Sequence, residues 1–164
     1  MMKLFRFVVL LFVVTACSKL NPHPKGIATW DEVRSLADAF VLNGDTNNIF
    51  NHTDLTGVPL PKAQKIKSIL GNWHGIPSNF KLMDTKVVTF NEFETLQREY
   101  YKDLPEDMRN ALLSGIRWNI KPEKIIVFSF VGSEPNSTNA SNQFSVGAYQ
   151  TNGLWYFSAS YNED

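Results

Sequence analysis

The chain is short of the residues that most often announce a chemistry. It has one cysteine in 164 residues, so no disulfide can form within it, and three histidines, too few for a metal site built on imidazole alone. Charge of neither sign dominates, with 16 basic and 16 acidic side chains. That balance gives no electrostatic case for nucleic acid. No glycine-rich phosphate loop and no Gly-x-Ser-x-Gly elbow is present, which leaves nucleotide binding and a serine nucleophile unsupported. No nucleotide, organic or metal cofactor is expected. Long apolar runs are missing too. The most apolar stretch, Phe7 to Val14, is far short of the roughly 20 residues that cross a bilayer.

What is present begins with that stretch. Lys3 and Arg6 form a positive head, the apolar run follows, and the small residues of Val14-Thr15-Ala16 precede Cys17 and polar Ser18-Lys19. A charged head, an apolar middle and a small-residue end make a cleavable export signal over residues 1–16. Removing Lys3 and Arg6 from the 16 basic residues leaves fourteen against 16 acidic, a net charge of −2 after export.

Val14-Thr15-Ala16-Cys17 resembles the lipobox of bacterial lipoproteins. The resemblance implies acyl chains on the Cys17 sulfur and cleavage just before it. Ordinary secretory cleavage is the alternative, because Val14 and Ala16 also meet the small-residue rule. The lone cysteine standing where lipidation needs a thiol favours the lipobox. Two or more acyl chains anchor firmly where one binds marginally. Ser18 after the cysteine is similar to an outer-membrane sorting signal, which implies a protein facing the periplasm. Once Cys17 is acylated, no thiol remains, and the domain relies on its core.

Residues 17–27 contain Pro22 and Pro24 and few apolar side chains, as a short tether would. One globular domain is expected over 28–164. Thr29 and Glu32 have capping-box spacing ahead of Trp30, Val33, Leu36, Ala37, Phe40 and Val41, which predicts a helix closed by Asn43-Gly44. Asp45 to Pro61 is rich in turn residues. A second helix starts near Pro61, with Ala63, Ile66, Leu70 and Trp73 on one face and Lys62, Lys65 and Lys67 on a solvated one. Phe80 to Phe90 reads as a strand running into a helix capped by Asn91 and Glu94, with Phe93, Leu96 and Tyr100 inward. Pro105-Glu106-Asp107 opens a short fourth helix ending at Gly115.

The C-terminal third is β. Lys124 to Val131 is densely apolar, and Asn152-Gly153 between two alternating runs is a strong hairpin signal. Setting that pair as the loop matches Gln150 with Trp155, Ala148 with Phe157, Val146 with Ala159 and Phe144 with Tyr161 on an apolar face. The opposite face, with Tyr149, Tyr156, Gly147, Ser145 and Ser158, is more polar. These elements predict an α+β domain in which N-terminal helices pack on one face of a C-terminal antiparallel sheet. The order resembles the NTF2-like (cystatin-like) superfamily, through the helix ending Phe40-Val41-Leu42-Asn43-Gly44-Asp45 and the closing Asn152-Gly153-Leu154-Trp155-Tyr156. That resemblance implies a sheet curled around the first helix.

Several side chains are candidates for function. His52 and Asp54, one residue apart, have the spacing of two metal ligands or of a base with its orienting carboxylate, but ordinary loop polarity explains them as well. Trp73-His74 pairs an aromatic with an imidazole at a helix end, as a pocket mouth would. Glu92, Glu94 and Glu99 fit a solvated helix, where Glu94 and Arg98 are four apart. The small residues Ala148, Val146 and Ala159 beside Phe157 leave room for a hollow lined by Phe144, Trp155, Phe157 and Tyr161, although filling by helix side chains such as Trp30 and Phe40 is the favoured reading. The expectation is a lipid-anchored envelope protein whose domain binds another envelope protein or a small apolar ligand without catalysis. A small enzyme using His52 with Asp54, or His74, is the alternative.

Overall fold

A computed structural model describes residues 23–132 and 142–162. Cys17 and the rest of the export segment lie outside the described residues. The chain docks earlier than the tether assignment implied. Lys25 N–H donates to Asn51 O at 2.9 Å, and Ile27, 1% exposed, exchanges two 2.9 Å backbone bonds with Trp155.

The domain is α+β. Helix α1 (Trp30–Asn43) starts on Thr29, whose hydroxyl accepts from Glu32 N–H, and stops at Gly44 in the left-handed region with φ 73°. A side chain at Gly44 would also meet the His74 carbonyl carbon at 2.6 Å, so the tight approach of the 74–75 turn needs glycine there. Helix α2 (Thr46–Asn51) follows, capped by Asp45, and leads into a two-residue strand β1 (Thr53–Asp54). Helix α3 (Leu60–Gly71), strand β2 (Phe80–Thr89), helix α4 (Phe90–Tyr100) and helix α5 (Glu106–Gly115) come next. The remaining strands are β3 (Ile116–Trp118), β4 (Lys124–Gly132), β5 (Asn142–Thr151), β6 (Leu154–Ser158) and β7 (Ser160–Asn162).

Five strands form one sheet in the order β1-β6-β5-β4-β2, and β3 pairs with β7 in a second. The hairpin has the predicted register, with Thr151 opposite Leu154, Gln150 opposite Trp155 and Ala148 opposite Phe157. The ladder then stops at Gly147 and Ser158, and the predicted pairing of Phe144 with Tyr161 does not form. Asn119 is the reason: its Oδ1 accepts Ala159 N–H at 2.9 Å and its own N–H donates to Ala159 O at 3.0 Å. With its backbone so engaged, Ala159 turns the chain, and Tyr161, now in β7, pairs with Arg117 of β3 instead.

Two further expectations are corrected. The sheet is mixed, because β1 runs parallel to β6. Helices also cover both of its faces. In β4 the successive residues Ile125, Ile126, Val127 and Phe128 are all buried, and a strand without alternation must be covered on both sides. One side packs Ile126, Phe128, Val146 and Phe157 against α1, and the other packs Ile125 and Val127 against Phe93 of α4. The cap of helix α4 lies two residues before the predicted one. Thr89 and Glu92 form the reciprocal capping box, and Tyr100 is exposed rather than inward.

Candidate functional site

Among the described residues, polar or apolar side chains converge in three places considered in turn. The first is a polar seam on the face of the sheet away from α1. Asp54, at the end of β1, is 6% exposed, and its carboxylate accepts from Thr56 N–H at 2.7 Å and from the Tyr149 hydroxyl of β5. Burial pushes the Asp54 carboxyl up, but hydrogen bonds from Thr56 and Tyr149 outweigh it and hold the group below the ordinary carboxylate range. Burial, followed by the bond to Asp54, raises Tyr149 well above an ordinary phenol. Tyr149 stacks on Tyr156 with ring centroids 5.7 Å apart.

Asn119 closes the seam. Its amide donates to Asp54 O at 2.8 Å and Thr56 O at 3.3 Å, and Ser158 Oγ reaches its Oδ1 at 3.0 Å. Trp118 and Pro122 lie directly over Gly147, where a Cβ would meet the indole at 2.7 Å. These groups satisfy one another, and neither Asp54 nor Tyr149 lines the groove under α3 or the cleft between α4 and α5. The seam ties β1, β5 and the 119–123 loop together.

The proposed pairing of His52 with Asp54 is not formed. His52 caps the end of α2 in a non-extended conformation, with φ −109° and ψ 1°, and its Nδ1 donates to Lys25 O at 2.6 Å, while Asp54, in β1, turns to Tyr149. His52 therefore fastens the N-terminal segment to the end of α2. Among the described residues, no three His, Cys, Asp or Glu side chains are grouped to hold a metal.

The second place is a groove between α3 and the sheet. Its inner chamber, about 180 Å³, is lined by Phe40, Leu70, Phe144, Val146, Phe157 and Ala159 among others. Its outer chamber, about 260 Å³, is lined by Lys62, Lys65, Ile66, Ile69, Ile116, Ser160 and Tyr161. Ile66, Ile69 and Ser160 border both. The groove exists because α3 sits lightly: it buries Ala63, with Ile66 and Leu70 half-buried, while Ile69 is 59% exposed.

Of the predicted hollow, Phe144 and Phe157 line the inner chamber and Tyr161 the outer. Trp155 does not: Trp30 packs against it at 4.9 Å, and the Lys124 ammonium lies over both rings. Phe40 meets Phe144 edge-on at 5.8 Å, so α1 fills part of the space, as the sequence allowed. Trp73 packs on Phe40 and Phe144, at 6.0 and 5.1 Å, and anchors its indole N–H on Phe40 O at 2.9 Å. It walls the aromatic end of this core. His74 is exposed and borders neither chamber. Missed by sequence reading were Lys62, Lys65 and Ile69. The recurrence of 62, 65, 66 and 69 at helical spacing was the available signal.

The third place is a cleft of about 440 Å³ between α4 and α5, lined by Phe90, Phe93, Glu94, Arg98, Asn110 and Leu113 among others. None of the ten residues of α5 is buried, and Met108 and Leu112 are exposed. Charges of both signs line this cleft, so it favours no one ligand chemistry. Among the described residues no helix is long and apolar enough to cross a membrane. Comparison with known family models, curated proteins and solved structures finds no match to this chain.

Proposed function

We propose that this chain is a lipid-anchored protein of the bacterial cell envelope, held by acyl chains on Cys17 in the outer membrane and facing the periplasm. Its folded domain is a binding or accessory module that takes a small apolar ligand. The export segment supports the first part. Its lipobox-like end puts the lone thiol at the start of the mature chain. Five residues lie between Cys17 and His23, the first described, and the six chain steps reach at most about 20 Å. A domain on so short a leash works next to the bilayer.

The observation that carries the second part is the apolar groove under α3, into which Phe144 and Phe157 of the sheet project. Concave, mostly apolar sites with a few polar groups at the mouth are the usual form of small-ligand pockets. The resemblance to NTF2-like domains agrees with a ligand held against the inner face of a sheet. Of the side chains the catalytic alternative would use, Asp54 is engaged with Tyr149 and His52 with Lys25 O, and His74 is exposed and borders neither chamber.

Intact mass of the protein purified from envelopes, with and without Cys17→Ala, tests the anchor. A mass beginning at Cys17 and carrying acyl chains, absent from the variant, is expected. An unlipidated mature mass would make this a secreted domain with a free thiol. Binding of a neutral apolar fluorophore, displaced by alkanols, tests the groove separately.

A further inference from the structure

We infer that the outer edge of β2 pairs antiparallel with the same edge of a second copy of this chain, about a two-fold axis through Thr85, so that the two five-stranded sheets join into one. The inference goes beyond the binding reading and does not rest on the groove.

The sheet's two edges are unlike. β1, at one edge, has two residues and offers little to pair with, whereas β2, at the other, has ten. Among the described residues no strand lies beyond β2, and a long open edge is a template for another strand. The strand also presents Met83, 64% exposed, and Val87, 41% exposed, large apolar groups that a single chain leaves in water. Met83 is the extra residue of a bulge, since Leu82 pairs with Phe130 and Asp84 with Ser129.

Charge chooses the partner and the register. A two-fold axis through the sheet keeps each side chain on its own face, so one residue of β2 must stand opposite its own copy. Centring on Asp84 or on Lys86 would set like charges against each other, which destabilises a strand pair. Centring on Thr85, between them, sets Asp84 opposite Lys86 of the second copy, twice by symmetry, and brings Met83 against Val87. Asp84 and Lys86 already form an ion pair at 3.3 Å along the strand, on the face they share opposite Ser129 and Val127 of β4. Pairing keeps that contact and closes a ring of four charges of alternating sign. Lys81, which would blunt an indiscriminate edge, meets Thr89 in this register rather than another cation. The strand is complementary to itself.

The test uses the full mature chain, residues 17–164, with Cys17→Ser, which removes its one thiol. Sedimentation equilibrium should show a reversible equilibrium between monomer and dimer. Asp84→Lys should raise the dimer dissociation constant about tenfold or more, since both symmetric pairs become like-charged. Asp84→Lys together with Lys86→Asp should return it to near the starting value. In the same background, Thr85→Cys should form a disulfide between copies on mild oxidation, because opposed residues of antiparallel strands have Cα atoms about 5 Å apart. Lys81→Cys, which strand rise puts roughly 26 Å from its own copy, should not.

A monomer at every concentration up to about 1 mM, where even weak pairing would show, would leave the edge to a strand of another protein and overturn the proposal. A dimer indifferent to Asp84→Lys would overturn the register on which it rests. So would one that cross-links as readily through Lys81→Cys as through Thr85→Cys.

Discussion

Helices α1 and α3 lie over the same face of the sheet, yet they are bound to it very differently. α1 buries Val33, Ala37, Phe40 and Val41 on a full apolar stripe and is fixed at both ends, by Thr29 and by Gly44. α3 buries Ala63, lacks a side-chain cap at its start and leaves a groove beneath it. Packing density separates an element that holds the fold from one that can yield to a ligand. The difference is written in composition. α1 presents a wide stripe with the aromatics Trp30 and Phe40, whereas α3 buries Ala63 and carries Lys62 and Lys65 beside its apolar face.

The largest effect should come from breaking the α1 side. Phe40→Ala removes a ring that is 3% exposed and touches Trp73 and Phe144, and should lower the unfolding free energy by about 3–5 kcal/mol in denaturant titration. Leu70→Ala, in α3 and half-buried, should cost about 1–2 kcal/mol by the same measurement. Comparable losses at the two positions would mean that α3 is as integral as α1. Hydrogen exchange gives the same contrast without mutation: amides of α3 should exchange through a smaller opening free energy than those of α1.

The polar pair on the opposite face is the control, since neither Asp54 nor Tyr149 lines the groove under α3. Tyr149→Phe removes a hydrogen bond to a buried carboxylate and should cost about 1.5–3 kcal/mol near neutral pH. Its pH dependence has a definite sign. Asp54 is held below its ordinary value of 3.8, so its contribution is present above that pH and is lost as pH falls through the lower folded value. Tyr149 is raised above its ordinary 10.0, so its contribution is present below pH 10 and is lost as pH rises further. Urea midpoints across pH should therefore fall at both extremes in the wild type. In Tyr149→Phe the alkaline limb should flatten, with part of the acid limb kept by Thr56. An unchanged alkaline limb would remove Tyr149 from the account.

Sequence reading recovered what is local. The Asn152-Gly153 hairpin came out in register because turn type and alternation are both set within a dozen residues. The cap of α1 was equally legible. The cap of α4 was misplaced because Asn91 and Glu94 repeat, two residues later, the spacing of Thr89 and Glu92. Contacts across long separations were not recoverable. Asp54 meets Tyr149 from 95 residues away, and nothing near either predicts the other. Asn119, which ends β6 and diverts Tyr161 into β7, reads in sequence as one polar residue among many. Helix α2 was hidden in a polar stretch, because Ile49 is its buried residue and no stripe repeats. Of the groove, Phe144, Phe157 and Tyr161 were legible as candidates through the small pairs beside Phe157, and the lysine-bearing side of the helix that roofs it was read as a solvated face.

The smallest effect on stability should fall on the residue most telling for function. Ile69 is 59% exposed, so Ile69→Ala removes few contacts and replaces the side chain with a better helix former. Those two changes oppose each other, and the net shift should stay within about 0.5 kcal/mol. Yet Ile69 borders both chambers of the groove, where truncation takes away surface that a bound ligand would cover. Affinity for an apolar ligand should then fall by a factor of about five to twenty, the range expected for losing roughly 1–2 kcal/mol of contact. A variant of near wild-type stability with weakened binding separates the two roles at one residue. If Ile69→Ala instead destabilised the protein by as much as Leu70→Ala, α3 would be packed in solution more tightly than its exposure implies. The contrast between the two helices would then collapse.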